Sequence, residues 1–315
     1  MTANALTQSS TRARRRWRLT LQRREAIACA LFIAPAVFGF LAFSALPLLA
    51  SAYLSMTDYS LAGVPNFVGL ANYQSLFSDR FFWQAVRVTL TYAIVIVPAW
   101  IVSSLALALI MNQNLRGMAA FRTVYYLPAV LSGVGVVMLW IWIFNYRSGL
   151  LNIGLGFLGI QGPNWLRDRN WALFSIMLMS LWSVGWYLPI WLSGLQGIPT
   201  ELYEAAEVDG AGTWARLWHI TLPMLSPIML YNLVINILFA TQLFTEPLMM
   251  TGGGPDLATL SYVLYMYNNA FSYLKVGHAS AMSWLLFLVS LVVTALIFKL
   301  SPLWVHFEAE RRGER

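Results

Sequence analysis

The chain contains several apolar stretches longer than the roughly 20 residues that an α-helix needs to cross the hydrocarbon core of a bilayer. Lipid offers the backbone no hydrogen-bond partners, so such stretches fold as helices, whereas barrel strands would alternate in polarity over about 10 residues. Hydrophobic residues make up 59% of the chain and charged residues 10%. The sequence therefore predicts an all-α fold, a polytopic membrane helical bundle.

We expect six membrane-spanning helices. Their approximate ranges are 27–54, 88–111, 124–144, 172–196, 225–250 and 280–300. Prolines interrupt several of them, at Pro35, Pro47, Pro98, Pro128 and Pro189. Membrane helices tolerate proline when neighbouring groups satisfy the freed carbonyls, so kinked and closely packed helices are predicted.

The distribution of Lys and Arg predicts that both termini lie in the cytoplasm. With the N-terminus inside, 14 of the 20 basic residues fall on the cytoplasmic side and 6 outside. The outer six are Arg80, Arg87, Arg147, Arg167, Arg169 and Lys275. We expect a basic cytoplasmic tail over 1–25, a transmembrane domain over 26–302 and a cytoplasmic C-terminal tail over 303–315. A topology signal and attraction to anionic lipid explain the basic residues of the two tails, so nucleic-acid binding is not expected.

The segment 199–223, between the fourth and fifth predicted spans, is acidic. Pro199 and Thr200 predict a helix start, with Thr200 as cap, and the helix should run to about Asp209. At about 100° per residue, one arc holds the acids Glu201, Glu204 and Glu207. The other side holds Leu202, Ala205 and Ala206, with Asp209 among them.

A second short helix should follow this acidic one. Gly210 and Gly212 break the first helix, Thr213 can cap a new one from Trp214, and Pro223 should end it. An ordinary amphipathic connection at the membrane surface remains an alternative. Such a helix would usually carry Lys and Arg toward anionic lipid, so the acidic face favours a protein partner.

The motifs of this segment resemble the cytoplasmic loop of permease subunits in binding-protein-dependent ABC importers. They read Glu204-Ala205-Ala206, Asp209-Gly210-Ala211 and Ile220-x-Leu222-Pro223, with Pro227 beyond. Further motifs resemble the carbohydrate-uptake, maltose-transporter-type branch: Phe67-Val68-Gly69-Leu70-x-Asn72-Tyr73, Phe82-Trp83, Tyr126-Leu127-Pro128 and Thr251-Gly252-Gly253-Gly254-Pro255. One departure is Val88 before Thr89, where that family often has Asn.

The resemblance implies a multi-pass subunit of a prokaryotic cytoplasmic (inner) membrane, in which this loop forms the coupling helices that seat in an ATPase subunit. The implied partners are a second, different permease chain, two cytoplasmic ATPase subunits, an extracytoplasmic solute-binding protein, carbohydrate and membrane lipid. The chain has no Gly-x-x-x-x-Gly-Lys-Ser/Thr loop. We therefore expect no cofactor in this chain, with ATP and Mg on the ATPase, and no enzymatic activity of its own.

A polar set in the fifth span is the candidate substrate path. Asn232, Asn236, Phe239, Gln242 and Glu246 fall in one arc at helical spacing. Hydrogen bonding that only holds the helices together is the equal alternative. Trp182, Trp186 and Ser193 share a face of span four and could also meet a sugar, although bulky aromatics are more often packing residues.

Other features exclude some functions. His219, His278 and His306 are too scattered for a metal site, and the single Cys29 rules out an intramolecular disulfide. The first apolar run is too long for a cleaved signal peptide. By the predicted topology the Gly252-Gly253-Gly254-Pro255 turn should lie outside, and the resemblance implies that it lies near the solute-binding protein. A permease for a polyol or glycerol-phosphate-type solute, and a self-contained channel or secondary transporter, remain alternatives.

Overall fold

A computed structural model describes residues 21–60, 63–113, 116–131 and 133–306. The predicted tails therefore lie mainly outside the described residues. The chain divides into two units, Met1–Tyr53 and Leu54–Arg315. Every regular element in the described ranges is helical, and β pairing there is limited to the isolated bridges Thr57–Phe67 and Ser60–Lys275. The predicted all-α class is confirmed.

The first predicted span is a helical run over Leu21–Ser55. It consists of α1 (Leu21–Phe40), a π-helical turn (Leu41–Ala45) and α2 (Leu46–Ser55). Pro35 lies within α1. The π-helical turn is a local widening that a long membrane helix accommodates without ending.

The helix α4 (Arg80–Met111) follows the short α3 (Ala71–Ser78) and is the central element of the second unit. It begins eight residues before the predicted 88, because the Asp79 side chain caps it by accepting the Phe81 N–H at 2.8 Å. Buried residues recur along one face of α4 every three or four positions. That face packs against helices from the fourth and fifth spans.

Two helices occupy the third predicted span, α5 (Met118–Val130) and α6 (Gly133–Ile143). The residue that caps α5, Leu131, has an extended backbone. Only Gly133–Ile143 qualifies there as a shorter apolar helix. A short helix, α7 (Leu150–Phe157), follows in the connection to the fourth span.

The fourth span is helical throughout but changes type in the middle. It comprises α8 (Ala172–Leu181), a 3₁₀ segment (Trp182–Tyr187) and α9 (Leu188–Gly197). The 3₁₀ segment crosses α5 closely at Gly185, where a Cβ would lie 1.8 Å from the Tyr125 carbonyl oxygen. Side chains of α4 hold this span, since Trp100 Nε1 donates to the Ser180 carbonyl at 3.0 Å.

The chain then forms α10 (Thr200–Val208), α11 (Thr213–Arg216), a π-helical turn (Leu217–Thr221) and α12 (Leu222–Met224). The fifth span is interrupted, with α13 (Ser226–Thr241) separated from α14 (Thr245–Met250). It is followed by α15 (Tyr262–Tyr267), which continues in a π-helical turn (Asn268–Ser272). The last span is α16 (Val276–Leu300), with a 3₁₀ turn (Ser301–Leu303).

Five helical segments within the described ranges are long and apolar enough to cross a membrane. They are Leu21–Ser55, Arg80–Met111, Ala172–Gly197, Ser226–Met250 and Val276–Leu303. A multi-pass membrane protein follows from these segments. The count of six spans and the cytoplasmic placement of both termini stay predictions.

Candidate functional site

The acidic helix α10 has the predicted length, and its glutamates are exposed. Glu201, Glu204 and Glu207 all face solvent. Pro199 occupies the cap position and Thr200 is the first helical residue, without a side-chain cap bond, so the predicted cap at Thr200 is wrong. Tyr203 is the residue of α10 that packs against the core. Leu202 and Ala205, which were predicted to lie on the apolar side of the helix, are exposed.

Gly210 ends α10 in a Schellman motif. Its backbone is left-handed, with φ of 76°. The Ala211 N–H donates to the Ala206 carbonyl at 2.8 Å, and the Gly210 N–H donates to the Glu207 carbonyl at 3.0 Å. Left-handed backbone is costly for any residue with a Cβ, which is the physical reason for glycine at this position.

The second half of the loop is longer than predicted. Helical structure begins at Thr213 and continues through the π-helical turn into α12, so Pro223 does not end it. Pro223 lies in the first turn of α12, which follows directly on the π-helical turn. The prediction that Pro223 terminates the second helix is therefore wrong. Leu222 lies beside it in the same short helix.

Contacts between its two halves hold the loop in one conformation. Arg216 pairs with Glu207 at 3.3 Å, and the Tyr203 hydroxyl shares a hydrogen bond of 3.0 Å with Thr221 Oγ1. Next to Thr221, Ile220 packs against the main core, and farther along the chain Leu225 is fully buried within it. These contacts connect α10 and α11 to the start of the fifth span.

Three apolar side chains make the outer surface of this loop distinctive. Val208 is 89% exposed, Trp214 74% and Trp218 63%. Large apolar groups in a polar connection usually mark an interaction site. Sequence reasoning missed them, although Trp214 and Trp218 are spaced by four residues and so share a helix face. We call the exposed acids Glu201, Glu204 and Glu207 together with these three residues the coupling surface.

The candidate substrate path is not one continuous arc. Helix α13 ends at Thr241, and Gln242 to Phe244 are non-helical, so Glu246 lies on a separate helix. The predicted single face is wrong, because spacing of 100° per residue holds only along an unbroken helix. The side chains of Asn232 and Asn236 also lie in a different environment from those of Phe239 and Gln242.

Asn232 and Asn236 are each 1% exposed, and they lie one turn apart on α13. Asn232 Nδ2 donates to the Ile228 carbonyl at 2.9 Å. Its Oδ1, and both side-chain polar atoms of Asn236, have no hydrogen-bond partner among the described residues. In contrast, Phe239 is 54% exposed and Gln242 is exposed.

The aromatic candidates of the fourth span lie on the 3₁₀ segment, so they do not share an α-helical face with Ser193 on α9. Trp182 packs edge-on against Trp140, with ring centroids 5.8 Å apart. Trp182 and Trp186 nevertheless remain 44% and 53% exposed. The Ser193 hydroxyl donates to the Ile190 carbonyl at 2.8 Å.

Side-chain hydrogen bonds connect the two ends of the glycine-rich turn after α14. Gly252 and Gly253 are left-handed, with φ of 62° and 89°. Thr251 and Thr259 share a hydrogen bond of 2.6 Å, and Thr259 Oγ1 donates to the Gly254 carbonyl at 2.8 Å. The described residues contain no group of His, Cys, Asp and Glu that could hold a metal ion.

Known proteins resemble this chain over most of its length. The family described as binding-protein-dependent transport system inner membrane component matches residues 100–305. The probable ABC transporter permease protein YesP of Bacillus subtilis is 39% identical, over 91% of this chain and 94% of the relative. The trehalose/maltose transport system permease protein MalF of Thermococcus litoralis is 34% identical, over 89% of this chain and 95% of the relative.

Another relative is the sulfoquinovosyl glycerol transport system permease protein SmoG of Agrobacterium fabrum, 34% identical over 90% of this chain and 94% of its own. Among solved structures, a chain of a bacterial ABC transporter involved in the import of the polysaccharide alginate superimposes with a TM-score of 0.78. It is 24% identical, over 89% of this chain and 96% of that one. This similarity supports the fold.

Proposed function

Because the chain belongs to the family of binding-protein-dependent transport system inner membrane components, we propose that it is one permease subunit of an ATP-driven carbohydrate importer. It is a transport component and not an enzyme. Relatives that cover nearly the whole chain are named for sugar transport, among them the trehalose/maltose permease and a lactose transport system permease protein of Rhizobium radiobacter. The proposed location is the prokaryotic cytoplasmic membrane.

The coupling surface carries this proposal. It combines exposed carboxylates with exposed Val208, Trp214 and Trp218, and the chain that follows it enters the core at Leu225. Such a surface suits a cleft on a cytoplasmic protein better than an anionic lipid surface. The proposed occupant is an ATPase subunit, which binds ATP and Mg. Two ATPase subunits and a second permease chain complete the proposed complex.

The proposed mechanism is alternating access. Closure of the ATPase subunits moves α10 and α11, and the buried connection at Leu225 passes that movement to α13. The Gly252–Pro255 turn is proposed to lie near the solute-binding protein that delivers the sugar. A sugar would then meet the exposed Phe239, Gln242, Trp182 and Trp186.

Variants of the loop test the coupling role. Glu204→Lys reverses an exposed charge, and Gly210→Val places a branched side chain in a left-handed backbone, which costs about 1–2 kcal/mol locally. We expect both variants to insert normally and to lose co-purified ATPase and uptake. Gly212→Ala is the matched control, because Gly212 is also exposed but has a φ of −69° and open space around a Cβ.

The outcome depends on comparing insertion with uptake. Full uptake in Glu204→Lys and Gly210→Val would contradict the coupling role. Loss of uptake in Gly212→Ala as well would show only that the loop tolerates no change.

The substrate path is tested by comparing exposed with buried residues of the fifth span. Phe239→Ala and Gln242→Ala should raise the transport KM while the complex still assembles, because their side chains are accessible. Asn236→Ala should instead change assembly or stability, because its amide is buried among helices. Unchanged kinetics in Phe239→Ala and Gln242→Ala would exclude these two residues from the substrate path. A KM effect limited to Asn236→Ala would instead place Asn236 on the path.

A further inference from the structure

A cavity of about 910 Å³ lies where the end of α6, the connection before α8 and the glycine-rich turn after α14 meet. This is the end of the unit that the charge distribution predicts to face outside. Arg147 and Arg167 line it, together with Asn145, Asn164 and Thr251. Its volume is in the range of ordinary small-molecule sites, about 300–1,000 Å³.

Local hydrogen bonds fix the backbone that carries each arginine. Asn145 Oδ1 accepts the N–H groups of Arg147 at 3.0 Å and of Ser148 at 3.1 Å. The Asn164 carbonyl accepts the Arg167 N–H at 3.2 Å. Both arginines therefore stand on turns whose conformation does not depend on a ligand.

A single side chain joins the two turns. Asn152 Nδ2 donates to the Tyr146 carbonyl at 3.0 Å, beside Arg147, and to the Pro163 carbonyl at 3.2 Å. Its Oδ1 accepts the Trp165 Nε1–H at 2.7 Å, two residues before Arg167. Gly162 allows this approach, because a Cβ there would lie 2.0 Å from Asn152 Oδ1. The spacing of the two arginines is thus set by Asn152.

Neither guanidinium has a carboxylate partner among the residues that the structure describes. Among the described residues that line the cavity there is no Asp or Glu, and the ion pair found in the described ranges is the distant Arg216–Glu207. The nearest acid in sequence, Asp168, uses Oδ1 to accept the Asn170 N–H at 2.8 Å. Two exposed, unpaired arginines on fixed turns are suited to an anion, since guanidinium groups bind carboxylates in bidentate fashion.

The surroundings favour an anionic sugar over an acidic protein surface. The site is concave, whereas protein partners usually meet flatter surfaces. The side chains of Asn145, Asn164 and Thr251 offer neutral hydrogen-bonding groups, and the Tyr146 ring, 44% exposed, offers an aromatic face. Hydroxyl groups and the C–H face of a sugar ring match these two kinds of surface.

On this geometry we propose that the cavity is an outer subsite for an anionic carbohydrate, with Arg147 and Arg167 binding its carboxylate and Asn152 acting as a positioning residue. The inference rests on the proposed importer function and specifies its substrate class. The subsite is separate from Phe239 and Gln242, which do not line this cavity.

The test measures direct binding to the assembled complex in nanodiscs of neutral lipid, without the binding protein. The probes are trigalacturonate and the neutral maltotriose, titrated by calorimetry at low and high salt. We expect trigalacturonate to bind about tenfold or more tightly than maltotriose, and the preference to shrink with salt. Equal affinity for the two probes would overturn the inference.

Variants then assign the binding to the arginines. Arg147→Gln/Arg167→Gln should lose about tenfold or more in trigalacturonate affinity and leave maltotriose binding unchanged. Arg87→Gln/Arg169→Gln is the matched control, since both residues are exposed, neither lines the cavity and the charge change is the same. Asn152→Leu keeps both guanidinium groups and should still weaken trigalacturonate binding. Equal losses in the control pair would overturn the assignment.

Three further outcomes separate this inference from its premises. Nanodiscs that contain anionic lipid provide a second arm: if trigalacturonate binds in neutral nanodiscs but not in these, lipid headgroups occupy the arginines, the cavity is a lipid site and the sugar assignment fails. If neutral sugars stimulate the ATPase of the complex while acidic ones neither bind nor stimulate it, the importer function stands and this subsite fails. If no ATPase co-purifies with the chain, the proposed function itself fails.

Discussion

At the scale of single residues, a few polar side chains join parts of the second unit that are far apart in sequence. Asp79 caps α4 and also accepts a hydrogen bond from the Tyr265 hydroxyl on α15. Thr89 Oγ1 accepts the Tyr262 N–H at 2.8 Å, and the Tyr262 hydroxyl donates to the Met282 carbonyl at 2.8 Å. The position of α15 therefore depends on individual hydroxyl groups.

The first prediction concerns the ionisation of Tyr265. Burial, followed by its hydrogen bond to Asp79, raises the pKa of Tyr265 from 10.0 to about 12. A raised folded-state pKa means that the stabilising contribution is fully present below about pH 10 and is lost as pH rises through about 12. The tyrosinate absorbance of the folded protein should show a late-titrating component that Tyr265→Phe reduces. Absorbance lost only near pH 10, and not near pH 12, would contradict this environment.

At the scale of elements, the changes of helix type are stabilised from neighbouring helices. The 3₁₀ segment Trp182–Tyr187 follows Ser180, whose carbonyl accepts the Trp100 Nε1–H at 3.0 Å and whose hydroxyl shares a hydrogen bond of 2.7 Å with Tyr92. Farther along, Trp191 Nε1 donates to Ser104 Oγ at 2.8 Å. Helix α4 thus satisfies polar groups that the irregular span exposes within the bundle.

The second prediction concerns the crossing of α5 and the 3₁₀ segment. Gly185→Ala would place a Cβ 1.8 Å from the Tyr125 carbonyl oxygen, so the helices must separate. Overpacking of this kind costs about 1–3 kcal/mol and should lower the Tm of the purified protein. Gly197→Ala is the control, because it lies at the end of α9 with open space around a Cβ. Equal Tm values for Gly185→Ala and the wild type would show that the crossing is looser than described.

At the scale of the whole molecule, orientation in the membrane decides which surfaces meet which partners. The coupling surface and the glycine-rich turn lie at opposite ends of the fifth span in sequence, before Ser226 and after Met250. A single crossing by this span places them on opposite sides of the bilayer. The Lys and Arg distribution predicts the coupling surface inside.

The third prediction tests this orientation with introduced cysteines. In a Cys29→Ser background the chain has no native thiol, and Thr213 and Asp256 are both exposed. Asp256→Cys should react with a membrane-impermeant maleimide in right-side-out vesicles, whereas Thr213→Cys should react only after permeabilisation. The reverse pattern would show that the topology is inverted. Reaction of both introduced cysteines in intact vesicles would rule out a membrane crossing between positions 213 and 256.

Local signals in the sequence were sufficient to predict much of this fold. Apolar runs of about 20 residues leave helices as the only lipid-compatible solution, and that result needs no knowledge of neighbours. The break at Gly210 was also predictable, because the left-handed backbone that ends α10 favours glycine whatever surrounds it. The family motifs around Glu204 likewise lie within one short segment.

Tertiary structure decided what depends on neighbours. The interruption at Gln242 separates Glu246 from Asn236, and helical spacing along an assumed continuous helix could not reveal it. Arg147 and Arg167 meet because Asn152 joins their turns through contacts 6 to 13 residues apart in sequence. Helix formation in lipid follows from the chain itself, but kinks, facing directions and shared cavities follow from which helices pack together, since packing satisfies the polar groups that irregular segments release.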